Sequence, residues 1–172
     1  AITPATPDVA ALRSIFQDLD FRSLAEEMSA DVQVDGAGDR EDVLIRTEAE
    51  LDQMSTELTE AGAFAWDTET TGLAALHVDL VGMSFCCEAG RAFYLPFNLD
   101  PPVLAGGTPA LLDRVRPLMT DPELFRIAQN EKYDALVLGA HGVDVPPPAF
   151  DTMVASFTIH GAGRRHNLDH LA

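Results

Sequence analysis

Lysine is almost missing from this 172-residue chain: Lys132 stands alone beside ten arginines, against 28 aspartates and glutamates. The resulting net charge of −17 argues against a broad basic surface that binds nucleic acid by charge alone. It leaves room for a local site, because charges more than ~8 Å apart are largely screened at physiological salt. So little lysine on so acidic a chain resembles the proteins of salt-loving organisms, although a GC-rich genome would produce the same arginine bias. Cysteine is scarce as well. Cys86 and Cys87 are chain neighbours, badly placed to pair with each other, so no disulfide framework is expected and a reducing cytoplasm is the simpler setting. No apolar run approaches the ~20 residues that span a bilayer, so no membrane partner is expected. The first residues, AITPATPDVA, have neither the basic start nor the apolar stretch of a signal peptide. An initiator Met is absent too, and the chain is expected to be a piece of a longer protein.

What is present is an ordinary apolar share, 47%, enough for one core with an appended segment. Residues 1–42 read as peripheral: Val9, Leu12, Ile15, Phe16 and Leu19 recur at helical spacing, and a polar, Gly-containing stretch, SADVQVDGAGDRED, follows. From Val43 the pattern tightens. A short strand, DVLIRT, leads to a helix with Leu51, Met54 and Leu58 on one face and Gly62 at its end. Strands are expected in AFAWDTE, in DLVGMSFCCE and RAFYLPF around a turn at Ala89-Gly90, and in LFRIAQ. Helices are expected after Thr108-Pro109, after Asn130 and after Asp151, each of these polar residues serving as an N-cap. A last helix starts within GAGRRHNLDHLA. This order predicts an α/β layered domain, a mixed sheet flanked by helices.

Two stretches carry chemistry. In FAWDTETTGL, Asp67 and Glu69 are two apart at the end of an apolar strand and so share a face. Carboxylates that close repel each other unless one holds a proton or a hard divalent cation lies between them. For a bare D-x-E a solvated strand end is the simpler reading, and half of a metal site is the other. In QNEKYDALVL, Asn130 and Asp134 are four apart on one face of a helix that opens directly after a strand, where ligands gather in α/β sheets. Of the five histidines only His166 and His170 have helical spacing, which reads as one exposed helix face. Phe64 and Trp66 read as core, and Lys132 as a solvent-facing helix position.

These stretches, together with DLVGMSFCCEAGRAFYLPF and FDTMVASFTIHGAGRRHNLDHLA, resemble in order and spacing the 3′→5′ proofreading exonuclease domain of family A DNA polymerases, the bacterial DNA polymerase I type. The likeness runs from Val43 to Ala172, and LDFRSL upstream resembles the segment joining the 5′-nuclease domain to it. The resemblance implies a connecting segment at 1–42 and a ribonuclease H-like exonuclease domain at 43–172. It implies that Asp67, Glu69 and Asp134 hold two divalent metals, Mg²⁺ or Mn²⁺. Thr68 and Leu73 would lie beside the terminal nucleotide, and Gln129, Asn130 and Tyr133 along the single-strand path. Arg164 and Arg165 would face the phosphates, a role that suits arginine's paired donors. The partners implied are single-stranded DNA 3′ ends and the polymerase domain of the same parent chain. The reaction implied is hydrolysis of the 3′-terminal phosphodiester, releasing a nucleoside monophosphate. Asp151 belongs to the same pattern, yet capping a helix explains it.

One part of the family pattern is missing. The third motif, Tyr-x-x-x-Asp, supplies the last metal carboxylate, and neither Tyr94 nor Tyr133 has an acid four residues on. Three of four ligands are therefore in hand, and this chain by itself is expected to be a weak or inactive nuclease, with apolar surface left open to self-association. Two rivals stand: a free-standing ribonuclease D-like enzyme acting on RNA, and a metal-free structural spacer within a polymerase.

Overall fold

The computed structural model describes residues 8–19, 40–147, 150–163 and 165–171. The chain divides into two compact units, Ala1–Gly38 and Asp39–Ala172. Of the first unit, helix α1 (Val9–Asp18) is described; Asp8 caps it by accepting a hydrogen bond from the Ala11 N–H at 3.0 Å. Residues 20–39, which hold most of the polar stretch and nearly all of LDFRSL, lie outside the described residues; the end of that stretch, Glu41 and Asp42, is already in the first strand of the second unit.

The second unit is built on one six-stranded sheet. Its strands are β1 (Glu41–Leu44), β2 (Ala63–Thr70), β3 (Leu80–Glu88), β4 (Arg91–Pro96), β5 (Phe125–Ala128) and β6 (Phe150–Asp151). The spatial order is β1-β4-β3-β2-β5-β6. The β2–β3–β4 meander is antiparallel, while β1 runs parallel to β4 and β5 and β6 run parallel to β2. The α-helices of this unit are α2 (Glu48–Ala61), α3 (Gly107–Thr120), α4 (Glu131–Ala140), α5 (Thr152–His160) and α6 (Leu168–Leu171), with short 3₁₀ turns at Ala75–His77 and Gly161–Gly163. Every strand but the two-residue β6 falls where the residue pattern predicts one; β6 is too short to carry a periodicity. No helix among the described residues is long and apolar enough to cross a membrane. Both cysteines are free thiols.

Strand alternation decides where the core lies. Along β2, Phe64, Trp66 and Thr68 are buried, whereas Ala65, Asp67 and Glu69 turn to the other face. The buried face packs against Leu51, Met54 and Leu58 of α2 and against Leu111, Leu112, Val115, Leu118 and Met119 of α3. Helix α2 is well bounded: Thr47 and Glu50 form a capping box, and Gly62 ends the helix in the left-handed region at φ 69°. The opposite sheet face is lined by small residues and carries a hollow of about 560 Å³, bordered by Ala65, Asp67, Ser84, Cys86, Ile127 and Gln129.

Two expected caps are not used. Helix α3 starts at Gly107, one residue before Thr108, because Gly106 occupies the N-cap at φ 106° and leaves Thr108 inside the first turn. Asn130 does precede α4, but it sits at φ 60° and its side chain makes no capping bond. Asp151 replaces it from another element. Its Oδ1 accepts from the N–H groups of Met153 and Val154 at the start of α5, at 2.8 and 3.0 Å. The same carboxylate accepts from Asn130 and Glu131 at the start of α4, at 3.3 and 2.9 Å. One acid therefore closes two helix N-termini, where its charge also meets the positive ends of both dipoles. Asp151→Ala is expected to destabilise the domain by about 2–3 kcal/mol, as the loss of two caps requires. Urea unfolding measures this, and a change below ~0.5 kcal/mol would contradict the double cap.

Candidate functional site

Asp67 and Glu69 leave β2 on the same face, opposite Ser84 and Gly82 of β3. Asp134 comes from the first turn of α4 and is buried. It reaches β2 by a specific joint: its Oδ1 accepts from the Thr68 backbone N–H at 3.1 Å and from the Thr68 hydroxyl. That N–H is open to a side chain because the register of β2 with β5 spans only Ala63, Phe64 and Ala65. The end of the parallel pairing thus creates the place where Asp134 docks.

The electrostatics follow from this crowding. Burial pushes the Asp67 carboxyl up to about 6, and the negative charges of Asp134 and Glu69 add to it. Burial raises Asp134 too, but the two bonds from Thr68 favour its charged form. Both carboxyls are therefore held above the ordinary carboxylate range, Asp67 by burial and its two acidic neighbours and Asp134 by burial against the pull of its Thr68 bonds. Among the described residues, no three His, Cys, Asp or Glu side chains close around one point tightly enough to hold a metal ion. The donor chemistry nevertheless fits a hard divalent cation: oxygen ligands only, with two acids whose mutual repulsion a cation would relieve.

Around these acids the other expected residues take distinct places. Leu73 projects from the loop after β2 with 94% of its surface exposed. Tyr133 of α4 clamps that loop: its hydroxyl donates to the Gly72 carbonyl at 2.7 Å, and the Thr70 hydroxyl lies 2.8 Å from it. Asp79 closes the other side by accepting from the Thr71 N–H. Gln129 is half-buried; its amide donates to the His166 carbonyl at 2.7 Å and its oxygen accepts from Thr152. Arg165 is exposed on the segment between α5 and α6, and Arg164 lies outside the described residues. The structure thus brings Asp67, Thr68, Glu69 and Asp134 together.

The histidine pair behaves differently from the expectation of one exposed helix face. Helix α6 spans only Leu168–Leu171, so His166 lies outside it. Its ring is packed edge-on against Phe157 and bonded to Ser156 Oγ at 2.8 Å and to the Gly161 carbonyl at 2.9 Å. Lys132 is exposed, and Phe64 and Trp66 are buried, as expected.

Two residues near the acids escape sequence reading. Tyr94 of β4 lies across Gly82, where an added Cβ would meet its hydroxyl oxygen at 2.1 Å. Its phenol is pushed up by burial and by the nearby Glu69 charge. A glycine opposite Glu69 was the available signal, but it becomes meaningful only once strand register is known. Glu131 is buried at the start of α4, and no local pattern marks a charged first-turn residue as internal.

The mixed sheet and its strand order define a ribonuclease H-like α/β domain. The chain belongs to the 3′-5′ exonuclease family of A-type DNA polymerases, whose pattern matches residues 43–172. It is 30% identical over 98% of its length to DNA polymerase I of Pseudomonas aeruginosa, and spans about a fifth of that relative, 20%. The fold is similar to the POL domain of Pol1 from M. smegmatis, solved in complex with DNA primer-template and dNTP. That likeness has a TM-score of 0.61 and 18% identity, and covers 76% of this chain and 22% of the other. A second similar fold is Brucella melitensis NrnC with bound Mg²⁺, with a TM-score of 0.52 and 18% identity over 74% of this chain and 56% of that one.

Proposed function

We propose that this chain carries the 3′→5′ proofreading exonuclease of a cytoplasmic DNA polymerase I, acting on single-stranded 3′ ends of DNA. In this reading residues 1–42 are the connecting segment, 43–172 belong to the exonuclease domain, and the polymerase domain of the parent chain is its partner. The observation that carries the reading is the Thr68 joint, which brings the Asp134 carboxylate to the acidic end of β2 beside the exposed Leu73 loop.

Asp67, Glu69 and Asp134 would hold two divalent cations, Mg²⁺ or Mn²⁺, which when bound supply an activated water and stabilise charge on the leaving 3′-oxygen. The chain's own residues do the rest. A cation there would relieve the crowding of Asp67 by its acidic neighbours, and the two Thr68 bonds hold Asp134 in place. Leu73, steadied by Tyr133 through Gly72, offers an apolar surface to the terminal base. Thr68 lies with Leu73 beside the terminal nucleotide, Gln129, Asn130 and Tyr133 line the path of the strand, and Arg164 and Arg165 serve its phosphates. Because the sequence contains no Tyr-x-x-x-Asp, slow turnover is expected of these residues alone.

The test is a 5′-labelled single-stranded DNA incubated with the chain in Mg²⁺ or Mn²⁺, with an RNA of the same sequence alongside. Slow shortening of the DNA from its 3′ end, stopped by a chelator, is expected, together with Mn²⁺ binding measured by electron paramagnetic resonance. Faster loss of the RNA would favour the ribonuclease D-like alternative. Absence of Mn²⁺ binding would remove the reading in favour of a structural spacer.

A further inference from the structure

Among the described residues, three buried polar side-chain atoms beneath the sheet have no direct hydrogen-bond partner: Trp66 Nε1, Arg126 Nε and Glu131 Oε1. Their residues come from β2, β5 and α4 and are only 3%, 3% and 2% exposed. They share one neighbourhood. Burial pushes the Glu131 carboxyl up to about 7, while the Arg126 guanidinium and the Trp66 indole favour its charged form. The indole is near enough to act on the carboxyl, yet no aligned hydrogen bond closes between them. Arg126 is anchored by its Nη1, which donates to the carbonyls of Asp121 at 2.7 Å and Leu124 at 3.3 Å. The Glu131 backbone is anchored as well, because its N–H donates to Asp151.

Apolar residues of similar volume would fill such a place at least as stably as an imperfectly satisfied charged group. Stability alone therefore gives no reason for the cluster, but its position does. Trp66 immediately precedes Asp67, and Glu131 lies one helical turn before Asp134. The cluster thus spans the same two elements, β2 and α4, whose separation sets the distance between the acids. We propose that Glu131 is a positioning residue that, with Arg126 and Trp66, holds α4 against β2 at the spacing where Asp67 and Asp134 act together. The proposal rests on the reading of those two aspartates as cation ligands. Glu131 itself touches neither cation nor substrate; it works through the placement of Asp134.

The amide of Thr68 reports this spacing without any metal, because its N–H donates to Asp134 across the β2–α4 joint. In the ¹⁵N-labelled chain, Glu131→Leu is expected to speed hydrogen exchange at Thr68 about tenfold, the loss expected for one weakened buried bond. Exchange at Val115 on α3 should stay near its original rate, since a merely structural loss would spread over the domain. The triple variant Trp66→Phe, Arg126→Met, Glu131→Leu makes the whole cluster apolar and should bring Thr68 back to within about threefold of the unsubstituted chain. Mn²⁺ affinity should fall and recover in parallel. Should Glu131→Leu fail to fold, Glu131→Gln keeps the shape and removes the charge. Its expected signature is faster Thr68 exchange with a shifted emission of Trp66, the single tryptophan. Unchanged Thr68 exchange in the folded variant overturns the proposal. Failure of the unsubstituted chain to bind Mn²⁺ overturns the cation-site reading instead, and the exchange result then still decides whether the cluster sets the joint.

Discussion

Asp67→Ala is expected to reduce Mn²⁺ affinity and cation-dependent shortening of single-stranded DNA by at least about a hundredfold. Loss of even an outer partner of a metal ligand costs ~10–100-fold, and Asp67 is proposed as a direct one. Among the three acids it is the one that both neighbours act upon, Glu69 from the same strand and Asp134 from α4. Removing it leaves two carboxylates with no group between them. Because Asp67 is at the solvent side of β2 and fills no core space, the variant should fold normally. Loss of binding with a urea midpoint that does not fall is therefore the expected pair of results. Asp151→Ala gives the converse control, with lower stability and a cation site still formed by the native fraction. Retention of Mn²⁺ affinity in Asp67→Ala would place the cation elsewhere.

The second large effect is on stability against pH in the presence of a chelator. Asp67 is raised from 3.8 to about 6 and Glu131 from 4.5 to about 7, so the folded chain binds more protons than the unfolded chain between these limits. Stability must then fall as pH rises through that window, and it is greatest on the acid side of it. Glu131 is fully enclosed and contributes on the order of 3 kcal/mol, since each pKa unit corresponds to about 1.4 kcal/mol. Asp67 is partly open to solvent, and its share is discounted to ~1 kcal/mol. Glu50 and Glu57, which are lowered by their hydrogen bonds, act in the opposite sense only below their ordinary range near 4.5. The chelated chain is thus expected to melt roughly 10 °C higher at pH 5 than at pH 8. Adding Mg²⁺ or Mn²⁺ at pH 8 should recover the Asp67 share, and Glu131→Gln should remove most of the slope. A melting temperature that rises from pH 5 to pH 8 without metal would show that neither acid is crowded as described.

Much of the fold was legible because its signals are local. The period-2 burial of β2, the Leu51–Met54–Leu58 stripe, the Gly62 stop and the turn at Ala89-Gly90 each involve residues within a few positions of one another. The failures share one cause. Asn130 was a good local candidate to cap α4, but the cap comes from Asp151, 21 residues away. His166 has helical spacing with His170, yet the helix starts after it and its ring serves Ser156 and Gly161. Beyond these two, the Tyr133 hydroxyl holds the Leu73 loop through Gly72, a contact between positions far apart in the chain that no local pattern announces.

The sequence by itself determined that Asp67 and Glu69 share a strand face and that Asp134 opens a helix, because side-chain direction follows from backbone period alone. It also carried the family likeness, through the order of those motifs. Only the tertiary structure decided that Asp134, 66 residues beyond Thr68, docks on its amide, and that this crowding raises the Asp67 carboxyl. Only the tertiary structure enclosed Glu131 with Arg126 and Trp66. Period tells which way a side chain points from its own element. What it meets there depends on where the parallel pairing of β2 with β5 stops and how α4 then packs across the gap, and those are properties of elements far apart in the chain.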